Sequence, residues 1–187
     1  MYEIIWHGRG GQGVVIAAQM LAEAAYLEGF KGVTSAPTFG PERRGAPVTA
    51  STRIAEDPIR TFSQLEKADI TVVLDDTLFQ VADIWGRSKP GGMVIINTAK
   101  PPDQFPQPAG IRKAVVDGAS IALKNHLVRE GAPIINTPML GAFAKATGLV
   151  TLENLEKALE EKLSSGAVSR NFASVTEAYQ ETVIFND

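Results

Sequence analysis

The chain has 187 residues, 44% hydrophobic and 21% charged, with 17 Gly, 11 Pro, no Cys and a formal net charge of −3. This length fits one domain over residues 1–187 with a single core that removes about 70% of the unfolded surface from water, which excludes disorder. The absence of Cys excludes a disulfide framework, a thiol nucleophile, a Cys-ligated zinc site and an iron–sulfur cluster held by this chain, so any redox chemistry, if present, lies outside it.

The opening Met1-Tyr2-Glu3-Ile4-Ile5-Trp6-His7 reads as a strand, not a signal peptide, and the mature chain is expected to start here. No apolar run approaches the ~20 residues that span a bilayer, and no long Lys/Arg block is present to neutralise phosphates. These features predict a cytoplasmic protein that binds neither membrane nor nucleic acid.

Short Val/Ile-rich runs bounded by Gly, Pro or Asp predict strands at 3–7, 32–35, 48–54, 70–75, 93–97 and 113–117. Three-to-four spacing of apolar residues predicts helices at 14–27, 77–86 and 119–130, then at 139–146, 152–163 and 172–185 toward the end, with Gly148 and Gly166 as separators. The alternation predicts an α/β, Rossmann-like, three-layer fold with a mostly parallel, mixed sheet and helices on both faces. Residues 48–54 alternate small and polar side chains and read as a half-exposed or edge strand, antiparallel through Glu56-Asp57-Pro58. Residues 70–74 read as a central parallel strand, and the Pro-rich stretch 100–108 reads as a surface loop.

Gly8-Arg9-Gly10-Gly11-Gln12-Gly13 follows the first strand and opens a helix, fitting G-x-G-x-x-G through Gly8, Gly10 and Gly13. A dinucleotide site also wants an acidic residue at the end of the second strand, where Val33-Thr34-Ser35-Ala36-Pro37 stands instead. Three readings therefore stand together: a nucleotide site, a turn for tight helix-on-sheet packing, and an anion or partner site. Arg9 favours the last, because it adds positive charge where a helix N-terminus already favours anions.

The second unusual stretch is Pro37-Thr38-Phe39-Gly40-Pro41-Glu42-Arg43-Arg44-Gly45-Ala46-Pro47. Proline and glycine deny it regular pairing while it carries charges, and both loops leave carboxyl strand ends, so Arg9, Glu42, Arg43 and Arg44 are expected to line one crevice. A surface ion pair of Glu42 with Arg43 or Arg44 is the plain reading; a stiff docking or phosphate-binding loop is the favoured one.

His7 and His126 have no carboxylates at metal-ligand spacing, so no metal site is expected. His7 reads as a hydrogen-bonded structural residue at a strand end. Asp75 and Asp76 stand at the end of the central strand, where an α/β protein places functional carboxylates, but Asp76 before Thr77 reads first as a helix N-cap, and Thr137 as the N-cap of a helix with Pro138 at its first position. No catalytic triad, nucleophile elbow or Walker loop is present, so the chain looks incomplete as a catalyst and no catalytic residue is assigned within it.

Trp6-His7-Gly8-Arg9-Gly10-Gly11-Gln12-Gly13, the run Phe39 through Pro47, and Asn136-Thr137-Pro138-Met139-Leu140-Gly141 resemble the gamma subunit of pyruvate and related 2-oxoacid:ferredoxin (flavodoxin) oxidoreductases. The signatures stand in that family's order and the resemblance covers nearly the whole chain. It implies a subunit, inactive alone, of a complex with alpha, beta and delta chains that decarboxylates a 2-oxoacid on thiamine diphosphate. Such a complex passes electrons through iron–sulfur clusters to ferredoxin or flavodoxin and transfers the acyl group to coenzyme A. Thiamine diphosphate, magnesium and 4Fe–4S clusters are then expected in partner chains, with no cofactor held by this chain alone. The residues set toward coenzyme A or a partner are Gly8, Arg9, Gly10, Gly11, Gln12, Gly13, Glu42, Arg43 and Arg44. Pyruvate is the default substrate from the Trp6-His7 start, with 2-oxoglutarate, branched-chain oxoacid, indolepyruvate or oxalate types as alternatives. A free-standing nucleotide-binding Rossmann-like protein is the competing class. The isolated chain is expected to self-associate through surfaces meant for partners.

Overall fold

The computed structural model describes residues 1–37, 44–61 and 63–186. Nine strands and five α-helices follow in the order β1 (Tyr2–Arg9), α1 (Val14–Leu27), β2 (Gly32–Pro37), β3 (Pro47–Ala55), β4 (Ala68–Val73), β5 (Ser88–Asn97), β6 (Arg112–Val116), α2 (Gly118–Lys124), β7 (Val128–Arg129), β8 (Ala132–Pro133), α3 (Asn136–Thr147), α4 (Leu152–Lys162), α5 (Ser165–Glu181) and β9 (Val183–Phe185). Short 3-10 turns occupy Asp76–Gln80 and Pro102–Gln104.

The seven-stranded sheet has the order β2-β3-β1-β4-β5-β6-β9, and β7 and β8 form a separate hairpin. β1, β4, β5 and β6 pair in parallel, while β3 is antiparallel to both β1 and β2, and β9 is antiparallel to β6. The expected α/β class and mixed, mostly parallel sheet are therefore present. The helices build their core on one face, where Ile4, Trp6, Val72 and Ile95 meet α1 and α3. On the other face Val73, Val94, Ile96 and Phe105 pack under Phe79 and Trp85, a layer of turns and loops that is thinner than the helical layer expected there.

Residues 48–54 are antiparallel as expected, yet β3 lies inside the sheet and β2 is the edge. The alternate small residues reflect close packing, not exposure. Ala50 and Thr52 face the Ala-rich α1, and the Thr52 hydroxyl donates to Ala18 O at 3.2 Å while accepting from Trp6 Nε1 at 3.1 Å. Trp6 thus buries its ring with its one donor satisfied, stacked on Phe143 at a centroid distance of 6.1 Å.

Three expected helices differ. Residues 77–86 give only the 3-10 turn, because the Asp83 carboxylate takes the Gly86 N–H at 2.9 Å and competes with helical pairing. Residues 119–130 form α2 only as far as Lys124; Asn125 folds its amide onto Ile121 O, His126 takes a left-handed φ of 55°, and a hairpin follows. Residues 172–185 belong to a helix that begins at Ser165, with Gly166 inside its first turn, and ends before β9, where Lys113 lies over the Phe185 ring. The 100–108 segment is a loop apart from its 3-10 turn, and Lys113 Nζ donates to its Pro102 and Phe105 carbonyls at 2.8 Å. No helix among the described residues is long and apolar enough to cross a membrane.

At the amino end of the sheet Glu3 accepts from Arg53 and Lys89, and Lys89 also reaches Asp69, each within 3.1 Å. Burial opposes ionisation of Glu3, but the hydrogen bonds and charges of Lys89 and Arg53 outweigh it and hold its carboxyl below the ordinary range.

Gly141 explains the end of the Asn136–Gly141 signature: a Cβ there would stand 2.0 Å from Val175 O, at the crossing of α3 on α5. Gly141→Ala is expected to force these backbones apart and lower stability by about 3 kcal/mol, measured as a shift in the urea midpoint at unchanged slope.

Candidate functional site

The carboxyl ends of β1, β4, β5 and β6 open into a crevice of about 1680 Å³, bounded by the glycine loop, the start of α3, the β7–β8 hairpin and α5. The glycine loop is fixed by one polar knot. Arg9 donates from Nε to Asp75 Oδ2 at 3.2 Å, from Nη1 to Gly45 O at 3.0 Å and from Nη2 to Thr77 Oγ1 at 2.7 Å. Gln12 closes the loop on itself, accepting the Arg9 N–H at 2.7 Å and donating to Asp75 Oδ2 at 3.1 Å. Gly10 bridges the second loop, donating to Ala46 O at 2.8 Å and accepting from Gly45 N at 3.0 Å.

The glycine loop and the start of the Arg44 segment therefore meet in one crevice, as expected. Arg9 is nonetheless an internal tie, with donors already directed to three residues of its own chain. Gly8 serves packing, since a Cβ there would lie 2.4 Å from Val14 Cγ2. Arg44 pairs with Glu130 of the hairpin, both well exposed, a contact worth about 0 to 1 kcal/mol. Glu42 and Arg43 lie outside the described residues.

The carboxylates described at the mouth are all engaged. Asp75 caps the 3-10 turn, taking the Thr77 N–H at 3.1 Å as well as its hydroxyl. Burial pushes its pKa up, but Thr77, Gln12 and Arg9 outweigh that and keep it ionised below the ordinary carboxylate range. The expected cap role of Asp76 thus belongs to Asp75. Asp76 itself accepts from Thr98 Oγ1 at 2.7 Å and Lys100 Nζ at 2.9 Å. Asp117 caps α2 through Ser120 N at 2.9 Å.

Thr137 is likewise not an N-cap. It lies inside α3, buried, and donates to Asn171 Oδ1 at 2.9 Å, because Asn136 and Pro138 already belong to the helix. Asn136, Arg129, Arg170 and Asn171 line the crevice, and the side chains of Arg129 and Arg170 make no ion pair among the described residues. Sequence reasoning missed the two arginines, which stand in a short hairpin and on a polar helix face that resemble ordinary solvated surface.

His7 is 3% exposed and its Nε2 has no hydrogen-bond partner, so the hydrogen bond expected of this residue is missing at that atom. Burial first, and the Arg87 charge second, depress its pKa from 6.5 to about 4.

On one side β1 borders the antiparallel β3, whose carboxyl end points away from the crevice; on the other it borders the parallel β4, whose following Asp75 is already held by Arg9, Gln12 and Thr77. Fold and site define a Rossmann-like α/β module with a crevice at the carboxyl ends of its parallel strands. Residues 3–181 match the pyruvate ferredoxin/flavodoxin oxidoreductase family. The chain is 47% identical over 190 residues, 99% of each chain, to the common subunit gamma of the pyruvate/ketoisovalerate oxidoreductases of Thermococcus litoralis. It is 44% identical over 181 residues, 97% of each chain, to the pyruvate synthase subunit PorC of Methanothermobacter marburgensis. The crystal structure of the pyruvate oxidoreductase subunit PORC from Thermotoga maritima superposes with a TM-score of 0.81 at 34% identity, covering 99% of this chain and 98% of that one. The chain belongs to the pyruvate ferredoxin/flavodoxin oxidoreductase family as a gamma-type subunit.

Because His7 binds its proton only below its unfolded value, the unfolded chain takes up more protons between pH 6.5 and 4, and stability falls as pH falls through that window. The loss amounts to about 3 kcal/mol at 1.36 kcal/mol per unit. Urea unfolding at pH 7.5 and 5 is expected to show a drop in the wild type and a flattened response in His7→Gln; equal drops would contradict it.

Proposed function

We propose that this gamma-type subunit works in a thiamine-diphosphate-dependent 2-oxoacid:ferredoxin oxidoreductase, with pyruvate as the first substrate to test, and forms one wall of the coenzyme A site. The supporting observation is the crevice: Arg129 and Arg170 line it without an ion pair among the described residues, Arg44 reaches it paired with Glu130, and its other described carboxylates are already bound within the chain. Its volume of about 1680 Å³ exceeds that of a compact small-molecule pocket, about 300–1,000 Å³, and suits an extended, multiply anionic ligand.

In this reading the decarboxylation and electron-transfer chemistry belongs to partner alpha, beta and delta chains holding thiamine diphosphate, magnesium and iron–sulfur clusters. A chain without Cys supplies no thiolate to such a cluster. This chain contributes position: its arginines hold phosphates by paired donors, and its rigid loops bring the thiol end of the ligand toward the neighbouring chain. The electron acceptor is ferredoxin or flavodoxin.

Arg43→Ala/Arg44→Ala in the assembled complex is expected to raise the KM for coenzyme A about tenfold with kcat preserved. Dissociation of the complex would instead assign the loop to a partner carboxylate, and an intact complex of normal kinetics would contradict both. A panel of 2-oxoacids, assayed by acceptor reduction on the same preparation, is expected to favour pyruvate.

A further inference from the structure

The cavity continues round the end of β1 onto the face of the sheet opposite α1, where His7, Ala82 and Arg87 line it. Along β1, Ile4 and Trp6 enter the helical core, whereas Ile5 packs in a separate cluster with Leu65 and Ala68. Alternation along the strand therefore sets His7 on the side of Ile5, beside Val73 of β4. His7 is 3% exposed and its Nε2 has no partner. No hydrogen bond at its other ring nitrogen dictates the tautomer, so Nε2 is free to carry the proton and donate it.

Arg87 is the second donor. Its Nε donates to Glu66 O at 3.1 Å and its Nη2 to Leu65 O at 2.9 Å, contacts that hold the guanidinium in place without neutralising it. Its Nη1 has no acceptor and its charge no ion pair among the described residues. That charge acts on His7, whose basicity is lowered by burial first and by Arg87 second. The acids on the stretch leading to Arg87 are committed elsewhere: Asp75 to Arg9, Asp76 to Lys100 and Asp83 to the Gly86 N–H. A buried donor without an acceptor is costly, and beside it stands a fixed cation without a counter-charge. One anion satisfies both.

We propose that His7 Nε2 and Arg87 form a receptor for a carboxylate, the side chain of an Asp or Glu carried by a partner subunit that docks over this face of the sheet. A carboxylate offers two oxygens to two donors, one of them charged. Two donors hold a free ion weakly, because its lost freedom of motion offsets most of the gain, whereas an acid on an already docked chain loses little more. The surroundings suit a docked chain: this face has the thinner cover, and Val81, next to Ala82, leaves 65% of its surface exposed. The inference rests on the proposed assembly with partner chains and not on the coenzyme A wall.

The test is His7→Leu, which removes the donor and keeps an apolar side chain of similar size. At pH 7.5 the urea midpoint of the variant chain is expected to equal or exceed that of the wild type, since an unpaired buried polar atom is lost. Its Kd for the remaining chains of the oxidoreductase, measured by sedimentation, is expected to rise about tenfold or more. An unchanged Kd, or a Kd that rises only in step with lost stability, overturns the receptor. If His7→Leu does not fold, Arg87→Lys decides, because it keeps the charge and introduces an amine. Treatment of that assembled complex with a zero-length carbodiimide cross-linker should join position 87 to an Asp or Glu of a partner chain, identified by mass spectrometry; no such cross-link overturns the proposal. If the wild-type chain joins no larger complex, the proposed assembly and this contact fall together; if it joins one and His7→Leu joins equally well, only the contact falls.

Discussion

The site depends on the ion pair between Arg9 and Asp75. β1 delivers Arg9 to the end of the sheet and β4 delivers Asp75 beside it, so the contact at 3.2 Å joins two parallel strands at the point where the chain turns into loops. Neither side chain is fully buried, and the pair alone would contribute modestly. Its importance is geometric: the same guanidinium holds Thr77 and Gly45, and the same carboxylate oxygen holds Gln12. A glycine-rich turn that would otherwise sample many conformations is fixed at its arginine, its glutamine and its contact with the Arg44 segment. With the loop fixed, α1 starts in one place and its first turn faces Asn136.

A division of labour follows across the sheet. The helical face is a dense core in which small residues matter as much as large ones: Ala17 and Ala18 let α1 settle on Ala50 and Thr52, and Gly141 lets α3 settle on α5. The opposite face has a thinner cover, in which Phe79, Trp85 and Phe105 pack over the middle strands. Charge is placed at both ends of β1. The Glu3, Arg53, Lys89 and Asp69 cluster closes the amino end, while the carboxyl end keeps arginines at its rim and its acids satisfied. An anionic ligand of the kind proposed would therefore meet a crevice whose described carboxylates are already engaged within the chain.

Much of this was legible in the sequence because it rests on local signals. Strand cores rich in Val and Ile, the strand–glycine–helix passage into α1 and the antiparallel direction of β3 all follow from spacing and turn residues. The interior position of β3 was not legible, since small alternating side chains read equally well as exposure or as close packing against an alanine-rich helix. The short turn at Asp76–Gln80 was concealed by apolar spacing that fits a helix until Asp83 caps Gly86. The Asn136 and Gly141 signature was visible as a pattern, but its meaning required contacts between α3 and both the glycine loop and α5, partners far away in the chain. Arg9 shows the same limit: its charge indicated an anion, and its neighbours in space show a structural tie.

The central claim is that the glycine-loop end of this subunit receives the acyl acceptor's anionic part. Hydrogen–deuterium exchange on the assembled complex, with and without coenzyme A, tests it most directly. Slowed exchange is expected in the peptide covering Gly11 to Ile16, together with the segment around Asn136. Unchanged exchange at both segments, in a complex that turns over coenzyme A normally, would contradict the account.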